Sequence, residues 1–321
     1  MKKVLVLGGS GFVGTQVCTQ LVREGWQVTV PSRSLPHAQH LLTLPRLTLL
    51  QADVHDEAAL VSAVAGQDAV VNLAAILHGT QAAFDKVHVQ LPQKIARACQ
   101  TAQVRQLVHV SALGVDAQQP QRAPSMYLRS KGQGEAALLQ AAGSGIDAAF
   151  ALTILRPSVI FGAHDKFLNV FAQLQRVLPL MPLAGANARF QPVWVQDVAS
   201  AVLRSLERAD MACASRAPLL LELCGPDVYT LRELVQLSAR LSGVRGGRGR
   251  PVIALPRWLG RIQARLMEFA PGEPMMSRDN LDSMAVDNVA TGTVPGLFEL
   301  GIEAASLAPI ASAYLGRKQV S

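Results

Sequence analysis

Short runs of apolar residues alternate with longer helical patterns along the first half of the chain. Six short runs consist mostly of Val, Leu, Ile and Ala, namely residues 4–7, 28–30, 47–50, 69–73, 107–110 and 152–155. Strands of this kind have both faces covered, as in a parallel sheet with helices on each side. The pattern therefore predicts an α/β fold with a Rossmann-type, doubly wound parallel sheet over residues 1–160.

Residues from about 192 to 224 are predicted to complete the sheet, with a last strand at 219–223. Residues 161–191 and 225–321 are predicted to form a smaller, mostly helical C-terminal subdomain that covers the substrate. Within it, apolar spacing predicts helices that begin near Thr230 and near Pro256.

Composition excludes some classes of protein. Hydrophobic residues make up 50% of the chain and charged residues 17%, which excludes a disordered protein. The 30 basic and 23 acidic residues give a net charge of +7, but seven arginines lie in the acid-free stretch between Leu234 and Met267. Because the rest of the chain is balanced, we expect no nucleic-acid partner.

Neither a membrane span nor a cysteine-based site is predicted. Gln67 and Asp68 interrupt the apolar stretch 58–77 before it reaches the roughly 18 residues that span a bilayer. The N-terminal apolar run ends at Gly8 without a cleavage site, so we expect a cytoplasmic protein. The four cysteines, at positions 18, 99, 213 and 224, are too far apart to predict a metal site or a disulfide framework.

A glycine-rich turn follows the first predicted strand and opens a helical pattern. Glycines at such a turn allow the backbone to approach a pyrophosphate, and the helix N-terminus offers free amides. A dinucleotide is the predicted ligand, and an ordinary tight turn is the alternative. The predicted contacts are Gly8, Ser10, Gly11, Phe12, Val13 and Gly14.

The end of the second predicted strand indicates which dinucleotide is favoured. A carboxylate there would bind the ribose of NAD, whereas this chain has Arg33 between Ser32 and Ser34. A guanidinium suits a 2′-phosphate, so NADP(H) is favoured over NAD(H). The alternative is that Arg33 is a solvated loop residue.

Two further strand ends fit a bound dinucleotide, because such sheets bind ligands at the carboxyl ends of their strands. Asp53 and Val54 follow the third strand and can flank the adenine, although Asp53 could equally cap the next helix. The fourth strand leads into Leu73, Ala74 and Ala75, where small residues let the cofactor pass.

Three residues form a candidate catalytic set. Ser111 follows the fifth strand, and Tyr127 and Lys131 share one face of a predicted helix. The Lys131 ammonium can hold the nicotinamide ribose and lower the pKa of the Tyr127 phenol, which would act as general acid or base. Ser111 would orient the substrate oxygen, and all three residues would also contact the cofactor.

Several segments together resemble the short-chain dehydrogenase/reductase superfamily in its extended, atypical branch. The resemblance is greatest to the family of the NAD(P)H-binding accessory subunit of respiratory complex I and its bacterial relatives. It covers most of residues 1–235. Besides the glycine-rich turn, it is carried by residues 108–114, 127–131, 134–135, 155–162, 165–169, 191–199 and 224–226.

The resemblance implies a tightly held NADPH, a place close to a quinone-reactive region, and cofactor contacts at Pro157 and Val159. The chain departs from active extended dehydrogenases after Ser111, where residues 112–114 are Ala, Leu and Gly instead of the usual Ser/Thr-containing pattern. Two functions therefore stay open. One is an NADP(H)-dependent oxidoreductase or epimerase-like enzyme acting on a hydrophobic, quinone-like substrate. The other is a non-catalytic NADPH-binding module of a respiratory or quinone-synthesising assembly.

The acid-free segment contains a Gly/Arg loop at 242–251, predicted to be flexible, and an amphipathic helical pattern at 256–269. On that helix Arg257, Arg261 and Arg265 adjoin an apolar face, so they are candidates for contacting an anionic membrane surface or a respiratory complex. This interpretation would place the protein peripherally on the inner face of the membrane. The alternative is that the apolar face closes the substrate pocket and the arginines are solvated.

Overall fold

The computed structural model describes residues 1–143, 148–211, 217–269 and 276–316, without the side chains of residues 209–211. Cys213 lies outside the described residues. The strands are β1 (Lys3–Leu7), β2 (Gln27–Ser32), β3 (Leu47–Gln51), β4 (Ala69–Asn72), β5 (Gln106–Val110), β6 (Ala151–Pro157), β7 (Ile160–Phe161), β8 (Met181–Ala184), β9 (Arg189–Phe190), β10 (Val193–Trp194), β11 (Leu219–Leu223), β12 (Tyr229–Thr230) and β13 (Val252–Leu255).

The helices connect these strands. They are α1 (Phe12–Arg23), α2 (Leu35–Ala38), α3 (Glu57–Val64), α4 (Gln81–Phe84), α5 (Leu91–Thr101), α6 (Met126–Ala142), α7 (Leu168–Val177), α8 (Val195–Met211), α9 (Leu231–Leu241), α10 (Arg257–Glu268), α11 (Arg278–Ser283) and α12 (Leu307–Leu315). A π-helical segment, Asp85–Gln90, joins α4 to α5. Within the described ranges, no helix is long and apolar enough to cross a membrane.

The chain divides into two compact units. Unit 1 contains Met1–Pro157, Gln196–Leu223 and Gly292–Glu303, and unit 2 contains Ser158–Val195, Cys224–Thr291 and Ala304–Ser321. The predicted boundaries kept residues 225–321 together, and the structure corrects this for Gly292–Glu303. That segment belongs to unit 1, where the Glu222 amide of β11 donates a hydrogen bond to the Pro295 carbonyl oxygen over 2.9 Å.

Unit 1 is built on one parallel sheet, which confirms the predicted fold class. Its strands, among the described residues, lie in the order β11-β6-β5-β4-β1-β2-β3. On β1, Leu5 stands opposite Thr29 of β2 on one side and Val70 of β4 on the other. The strand order reverses between β1 and β4, and ligands of doubly wound sheets bind at the carboxyl ends of the strands on either side of such a point.

Helices cover both faces of this sheet. On one face, α3, α5 and α6 pack through a buried cluster that includes Leu5, Leu60, Ile95, Leu138 and Phe150. On the helices α1 and α8, the side chains of Gln20 and Gln196 form a hydrogen bond of 3.0 Å. Each buried aliphatic or aromatic side chain stabilises the fold by roughly 1.5–3 kcal/mol, so the cover on both faces explains why the strands are mostly apolar.

Unit 2 is mostly helical, as predicted. Its helices α7, α9 and α12 share a core that includes Phe161, Leu168, Leu234 and Leu307. The predicted helix start at Thr230 is confirmed, because Thr230 and Glu233 form a capping box at the start of α9. Beside this core, the parallel strands β8 and β13 pair from Met181 to Ala184 and from Val252 to Leu255.

Candidate functional site

The glycine-rich turn between β1 and α1 brings the backbone to the carboxyl end of the sheet. Gly8 has a left-handed φ of +79°, and a Cβ atom there would lie 3.1 Å from the Ala74 amide nitrogen. A Cβ atom on Gly14 would collide with the Gly8 carbonyl oxygen. Only glycine permits this close approach of α1 to the turn.

The N-terminus of α1 offers donors for an anion. The helix begins at Phe12 after Gly11 and has no acidic residue in its first turn. The amides of Phe12, Val13 and Gly14 lack acceptors within the helix, and they carry its positive dipole end. Ser10, half-buried, precedes them in the turn. These groups suit the pyrophosphate predicted from the sequence.

Arg33 and Asp53 lie at neighbouring strand ends. Arg33 follows β2 directly and is exposed, and Asp53 is exposed two residues after β3. The Asp53 carboxylate accepts a hydrogen bond from the His55 amide over 3.0 Å. That bond, with the nearby charges of His55, Arg33 and Lys86, holds the pKa of Asp53 below its usual value. This strand end is therefore rich in positive groups.

The cap of α3 is Asp56 and not Asp53. The Asp56 carboxylate accepts a hydrogen bond from the Ala59 amide over 2.8 Å. The alternative role of Asp53 as the helix cap is therefore wrong, and its carboxylate stays at the sheet edge. Val54 beside it is half-buried and packs against the sheet core.

The end of β4 borders the glycine-rich turn. The Leu73 amide donates a hydrogen bond to the Leu7 carbonyl oxygen over 2.9 Å, and the Ala74 amide donates one to Asn72 Oδ1 over 3.1 Å. Leu73 and Ala74 are half-buried and Ala75 is exposed. Leu73 and Ala74 thus stand next to Gly8, at the point where the strand order reverses, and Ala75 follows them in the chain.

Ser111 is buried directly after β5, and its hydroxyl makes no hydrogen bond to the described residues. Its amide donates a hydrogen bond to the Leu155 carbonyl oxygen over 2.7 Å, and the residue is 4% exposed. Among the described residues, its Oγ atom has no hydrogen-bond partner. Leaving a buried hydroxyl without a partner costs roughly 1–3 kcal/mol, so the group suits an oxygen atom of a ligand.

Lys131 reaches the same strand end from α6. The residue is 2% exposed, and its Nζ atom donates a hydrogen bond over 3.1 Å to the carbonyl oxygen of Val110, the residue before Ser111. Burial lowers the pKa of Lys131 to about 8, an effect that the Glu135 carboxylate partly offsets. The structure therefore brings Lys131 and Ser111 together.

Tyr127 lies one turn before Lys131 on α6. Burial raises the pKa of Tyr127 to about 12. The expectation that Lys131 lowers this pKa is wrong for the arrangement described, because desolvation of the phenol dominates and the ammonium is held by Val110. Tyr127 is thus a protonated phenol at neutral pH.

His88 is a site residue that the sequence does not reveal. It lies in the π-helical segment, is 1% exposed, and its Nε2 atom accepts a hydrogen bond from the Ile76 amide over 3.1 Å. Its Nδ1 atom lies 2.9 Å from Ser130 Oγ, which in turn donates to the Tyr127 carbonyl oxygen. π-Helical segments are frequent at functional sites, but an isolated histidine gives no sequence signal for one.

A second buried histidine stands on β5. His109 is 1% exposed, and its Nδ1 atom is 3.0 Å from the amide nitrogen Nδ2 of Asn72. Since that nitrogen is a donor, Nδ1 accepts and the proton of the neutral ring is on Nε2. Nε2 has no partner within the part of the chain described. Burial, and then the charge of Lys131, hold the pKa of His109 well below its usual value.

Pro157 and Val159 fall in different units. Pro157 ends β6 in unit 1, and its carbonyl oxygen accepts a hydrogen bond from the Leu113 amide over 3.0 Å. Val159 belongs to unit 2, where its amide donates to Asn288 Oδ1 over 2.9 Å. All the predicted site residues except Val159 therefore belong to unit 1.

Comparison with known proteins identifies the family of this site. Residues 4–215 match the model of the NAD dependent epimerase/dehydratase family. The chain belongs to this family. A relative from Mus musculus, NADH dehydrogenase (ubiquinone) 1 alpha subcomplex subunit 9, mitochondrial, is 30% identical over 311 residues, which cover 93% of this chain and 75% of the relative. The resemblance stated from the sequence is thereby confirmed.

Two further epimerase/dehydratase-like proteins widen the comparison. The 4-hydroxy-2-methyl-3-oxo-4-farnesyl-3,4-dihydroquinoline-1-oxide ketoreductase of Stigmatella aurantiaca is 31% identical over 221 residues, 64% of this chain and 65% of that protein. A UDP-glucose-4-epimerase structure from Stenotrophomonas maltophila, with bound NAD and formylated UDP-arabinopyranose, has a TM-score of 0.71 at 19% identity, covering 98% of each chain. The second likeness shows the fold alone.

The site fits the nicotinamide dinucleotide that the epimerase/dehydratase family binds. The glycine-rich turn excludes Cβ atoms at Gly8 and Gly14, and the α1 amides point donors at the sheet edge. The unpartnered Ser111 hydroxyl and the anchored Lys131 ammonium supply polar groups at the neighbouring strand end. These residues would hold the cofactor.

The C-terminal basic helix is confirmed as α10, but its buried face is not its apolar one. Gly260 and Ala264 are buried, and a Cβ atom on Gly260 would clash with Ala184 of β8. Four apolar side chains on α10 or directly after it are 52% to 77% exposed, namely Trp258, Ile262, Leu266 and Phe269, whereas Leu259 is half-buried. Most of the apolar face of α10 is therefore exposed.

The arginines of α10 are not equivalent. Arg257 and Arg261 share the Asp282 carboxylate, with N–O distances of 3.5 Å and 3.0 Å. Arg265 is exposed and forms no ion pair with any residue that the structure describes. Two of the three predicted partner contacts are thus already part of an internal ion-pair network.

Proposed function

We propose that this protein is an NADPH-dependent reductase of a keto group on a hydrophobic, quinone-like substrate. The observation that carries the proposal is the buried, unpartnered Ser111 hydroxyl at the strand end where Lys131 is anchored. The substrate class is supported by the name of the Stigmatella relative, a ketoreductase of a farnesylated oxo-dihydroquinoline oxide.

The residues of unit 1 provide a hydrogen bond and a proton. A bound reduced nicotinamide supplies the hydride to the carbonyl carbon. Ser111 donates a hydrogen bond to the carbonyl oxygen, and Tyr127 transfers its phenolic proton to that oxygen, so that the ketone becomes an alcohol. A phenol with a pKa of about 12 is protonated at neutral pH, as the proton donor in a reduction must be. Lys131 holds the cofactor ribose, and a proton from solvent restores the Tyr127 phenol after the transfer.

Substitution of Tyr127 tests the reductase. We expect Tyr127→Phe to lower NADPH-dependent turnover by about 100-fold or more on the best substrate of a quinone and ketone panel, with NADPH affinity retained. Tyr229→Phe in unit 2 is the matched control, because the Tyr229 hydroxyl makes only a long hydrogen bond of 3.4 Å to Asp227. Unchanged turnover of Tyr127→Phe across the whole panel would refute the reductase.

NADP(H) is proposed as the preferred cofactor because Arg33 is exposed at the end of β2, with Lys86 and His55 near the adjacent Asp53. We expect Arg33→Ala to weaken NADPH binding by about tenfold and to leave NADH binding unchanged, since only NADPH carries the 2′-phosphate. Titration calorimetry measures both, with Arg23→Ala as the control for loss of an exposed arginine. Tighter binding of NADH than of NADPH to the unchanged protein would contradict the preference.

A second candidate function is an NADPH-binding module of a respiratory assembly, held peripherally at the inner face of the membrane. The exposed apolar stripe of α10 favours it: Trp258, Ile262, Leu266 and Phe269 fall on one side of the helix, opposite the buried Gly260 and Ala264. Arg265 beside the stripe would add roughly 1 kcal/mol of attraction to an anionic surface. The mouse relative is, by its name, part of an NADH dehydrogenase.

Vesicle flotation tests the membrane surface. We expect the protein to float with phosphatidylcholine vesicles that contain phosphatidylglycerol, and the triple variant Trp258→Gln/Ile262→Gln/Leu266→Gln to stay behind. The control Leu42→Gln/Leu77→Gln/Val228→Gln changes three exposed apolar residues elsewhere. Equal flotation of the α10 variant and the unchanged protein, or no flotation of either, would refute the membrane contact. Replacing Arg265 with Gln should weaken flotation only at low salt.

A further inference from the structure

An arginine-lined pocket lies in unit 2. It has a volume of about 550 Å³ and is formed by the second half of α9 and the segment that follows it, up to β13. Its lining residues include Arg240, Arg245, Arg248 and Arg250. The volume lies within the ~300–1,000 Å³ that are usual for ligand pockets.

The Gly/Arg loop forms one wall of the pocket and has a defined backbone conformation. Gly246, Gly247 and Gly249 have left-handed φ values of +67°, +84° and +68°, which permit a tight succession of turns. The amides of Gly247 and Gly249 both donate to the carbonyl oxygen of Val244, a residue only 8% exposed, over 3.0 Å and 3.1 Å. The loop therefore has a defined conformation in which its backbone is bonded to itself and to the buried Val244.

A buried glutamine fixes the far end of the loop. Gln175 of α7 is fully buried, and its Oε1 atom accepts a hydrogen bond from the Arg250 amide over 3.1 Å. Its backbone carbonyl oxygen accepts another from Arg250 Nε, also over 3.1 Å. A Cβ atom on Gly249 would crowd Gln175 Oε1. The backbone that presents the arginines is thus positioned before any ligand arrives.

The charge of the pocket is not compensated by the protein. None of the described residues that line it is acidic, and Arg240, Arg245 and Arg248 form no ion pair within the described chain. Several arginines around one pocket attract an anion together, because their charges add at the ligand. Planar guanidinium groups bind pairs of phosphate oxygens, and a phosphate group carries more negative charge than a carboxylate, so a phosphate-bearing ligand is favoured.

We propose that this pocket binds a ligand with two or more phosphate charges, either a phospholipid headgroup or a free polyphosphate. The pocket shares no lining residue with the dinucleotide site, since all its lining residues belong to unit 2, whereas the glycine-rich turn, Arg33 and Lys131 belong to unit 1. The proposal does not depend on the reductase activity or on NADP(H) preference.

Calorimetric titration with inorganic pyrophosphate at low salt tests the pocket. The protein is first saturated with NADPH, so that the dinucleotide site does not take up the probe. We expect one pyrophosphate site, weakened by about tenfold or more in Arg245→Ala/Arg248→Ala and largely retained in Arg245→Lys/Arg248→Lys. The control Arg23→Ala/Arg204→Ala removes the same charge from unit 1 and should change the affinity by less than about twofold.

Vesicles distinguish the two sources of phosphate. If the ligand is a lipid, the protein should bind phosphatidylcholine vesicles that contain phosphatidic acid. Pyrophosphate should compete for this binding, and Arg245→Ala/Arg248→Ala should abolish it. Pyrophosphate binding without vesicle binding of this kind would identify a free polyphosphate. The proposal is overturned if neither probe binds at low salt, or if the control variant loses as much affinity as the pocket variant. Unchanged NADPH affinity in the pocket variant separates this result from any failure of the dinucleotide site.

Discussion

The imidazole ring of His88 meets the phenol ring of Tyr127 edge to face, with ring centroids 5.5 Å apart and planes at 83°. Two hydrogen bonds fix the imidazole, one to Ser130 Oγ and one from the Ile76 amide. The helix α6 approaches this histidine closely because Gly134 has no Cβ atom to collide with the His88 carbonyl oxygen. His88 therefore positions the phenol that the proposed reductase uses as its acid.

Replacing His88 with Leu should destabilise the protein by about 2–4 kcal/mol. The substitution removes both hydrogen bonds and leaves the Ile76 amide and Ser130 hydroxyl without those partners in a buried place. Urea unfolding measures the loss, and His37→Leu, at an exposed position, is the control. A free energy of unfolding within about 0.5 kcal/mol of the unchanged protein would contradict a positioning role.

Acidification from pH 7 to pH 5 should weaken the fold through His88 and His109. Both are neutral when folded, because burial lowers their pKa values, that of His88 to about 2. In the unfolded chain they titrate near 6.5, so below that pH the unfolded state binds more protons and stability falls. Each histidine should lower the free energy of unfolding by about 2 kcal/mol at pH 5.

The pH dependence is measured by urea unfolding at pH 7, 6 and 5. The variants His88→Leu and His109→Leu should each show a shallower decline than the unchanged protein, because one group no longer titrates on unfolding. His37→Leu should keep the full slope, since that side chain is exposed. Parallel curves for all of these proteins would show that other groups cause the acid sensitivity.

Ser111→Ala should leave stability unchanged or raise it by up to about 1 kcal/mol. The substitution removes a buried hydroxyl that has no hydrogen bond to any described residue. Ser130→Ala is the contrasting variant and should cost about 1–3 kcal/mol, because Ser130 Oγ bonds to His88 and to the Tyr127 carbonyl oxygen. Thermal unfolding compares them.

The same Ser111→Ala variant should lower turnover of the proposed reductase by about 10- to 100-fold, since the hydroxyl would donate to the reacting oxygen. Loss of activity without loss of stability is the combination expected of a ligand-binding hydroxyl. A strongly destabilised Ser111→Ala protein would mean that the hydroxyl has a structural partner instead.

Breaking the buried ion pair between Arg156 and Glu135 should cost about 3–5 kcal/mol. Arg156 donates from two nitrogens to the Glu135 carboxylate, and the side chains are 12% and 0% exposed. Arg156→Met leaves a buried carboxylate unpaired, whereas Glu135→Leu/Arg156→Met removes both charges and should recover most of the loss. Chemical unfolding of the single and double variants tests this. A double variant no more stable than Arg156→Met would be the contrary result.

The sequence predicts the sheet well because its signals are local. Each of the six mostly apolar runs coincides with a strand, and the predicted last strand is β11, since a strand covered on both faces is apolar at most of its positions. The glycine-rich turn is equally local. Gly8 needs its left-handed φ whatever the rest of the chain does.

The features that the sequence does not predict depend on distant pairs. The contact of His88 with Ser130 joins residues 42 positions apart, and that of Asn72 with His109 joins residues 37 apart. The orientation of α10 is missed for another reason. An apolar stripe is expected to face inward, but the small residues Gly260 and Ala264 allow closer packing on β8, so the stripe faces outward.

Unit 1 is built from separate segments of the chain, so it can complete its fold only after the last of these segments has been synthesised. β6 leaves the ribosome well before its sheet neighbour β11, and the Pro295 acceptor of the β11 residue Glu222 emerges later still. Until then β6 is an open strand edge, which readily pairs with other chains. A recombinant fragment that ends near residue 160 would keep the whole glycine-rich turn and yet carry this open edge permanently. The nucleotide-binding half is therefore not a fragment that folds properly on its own.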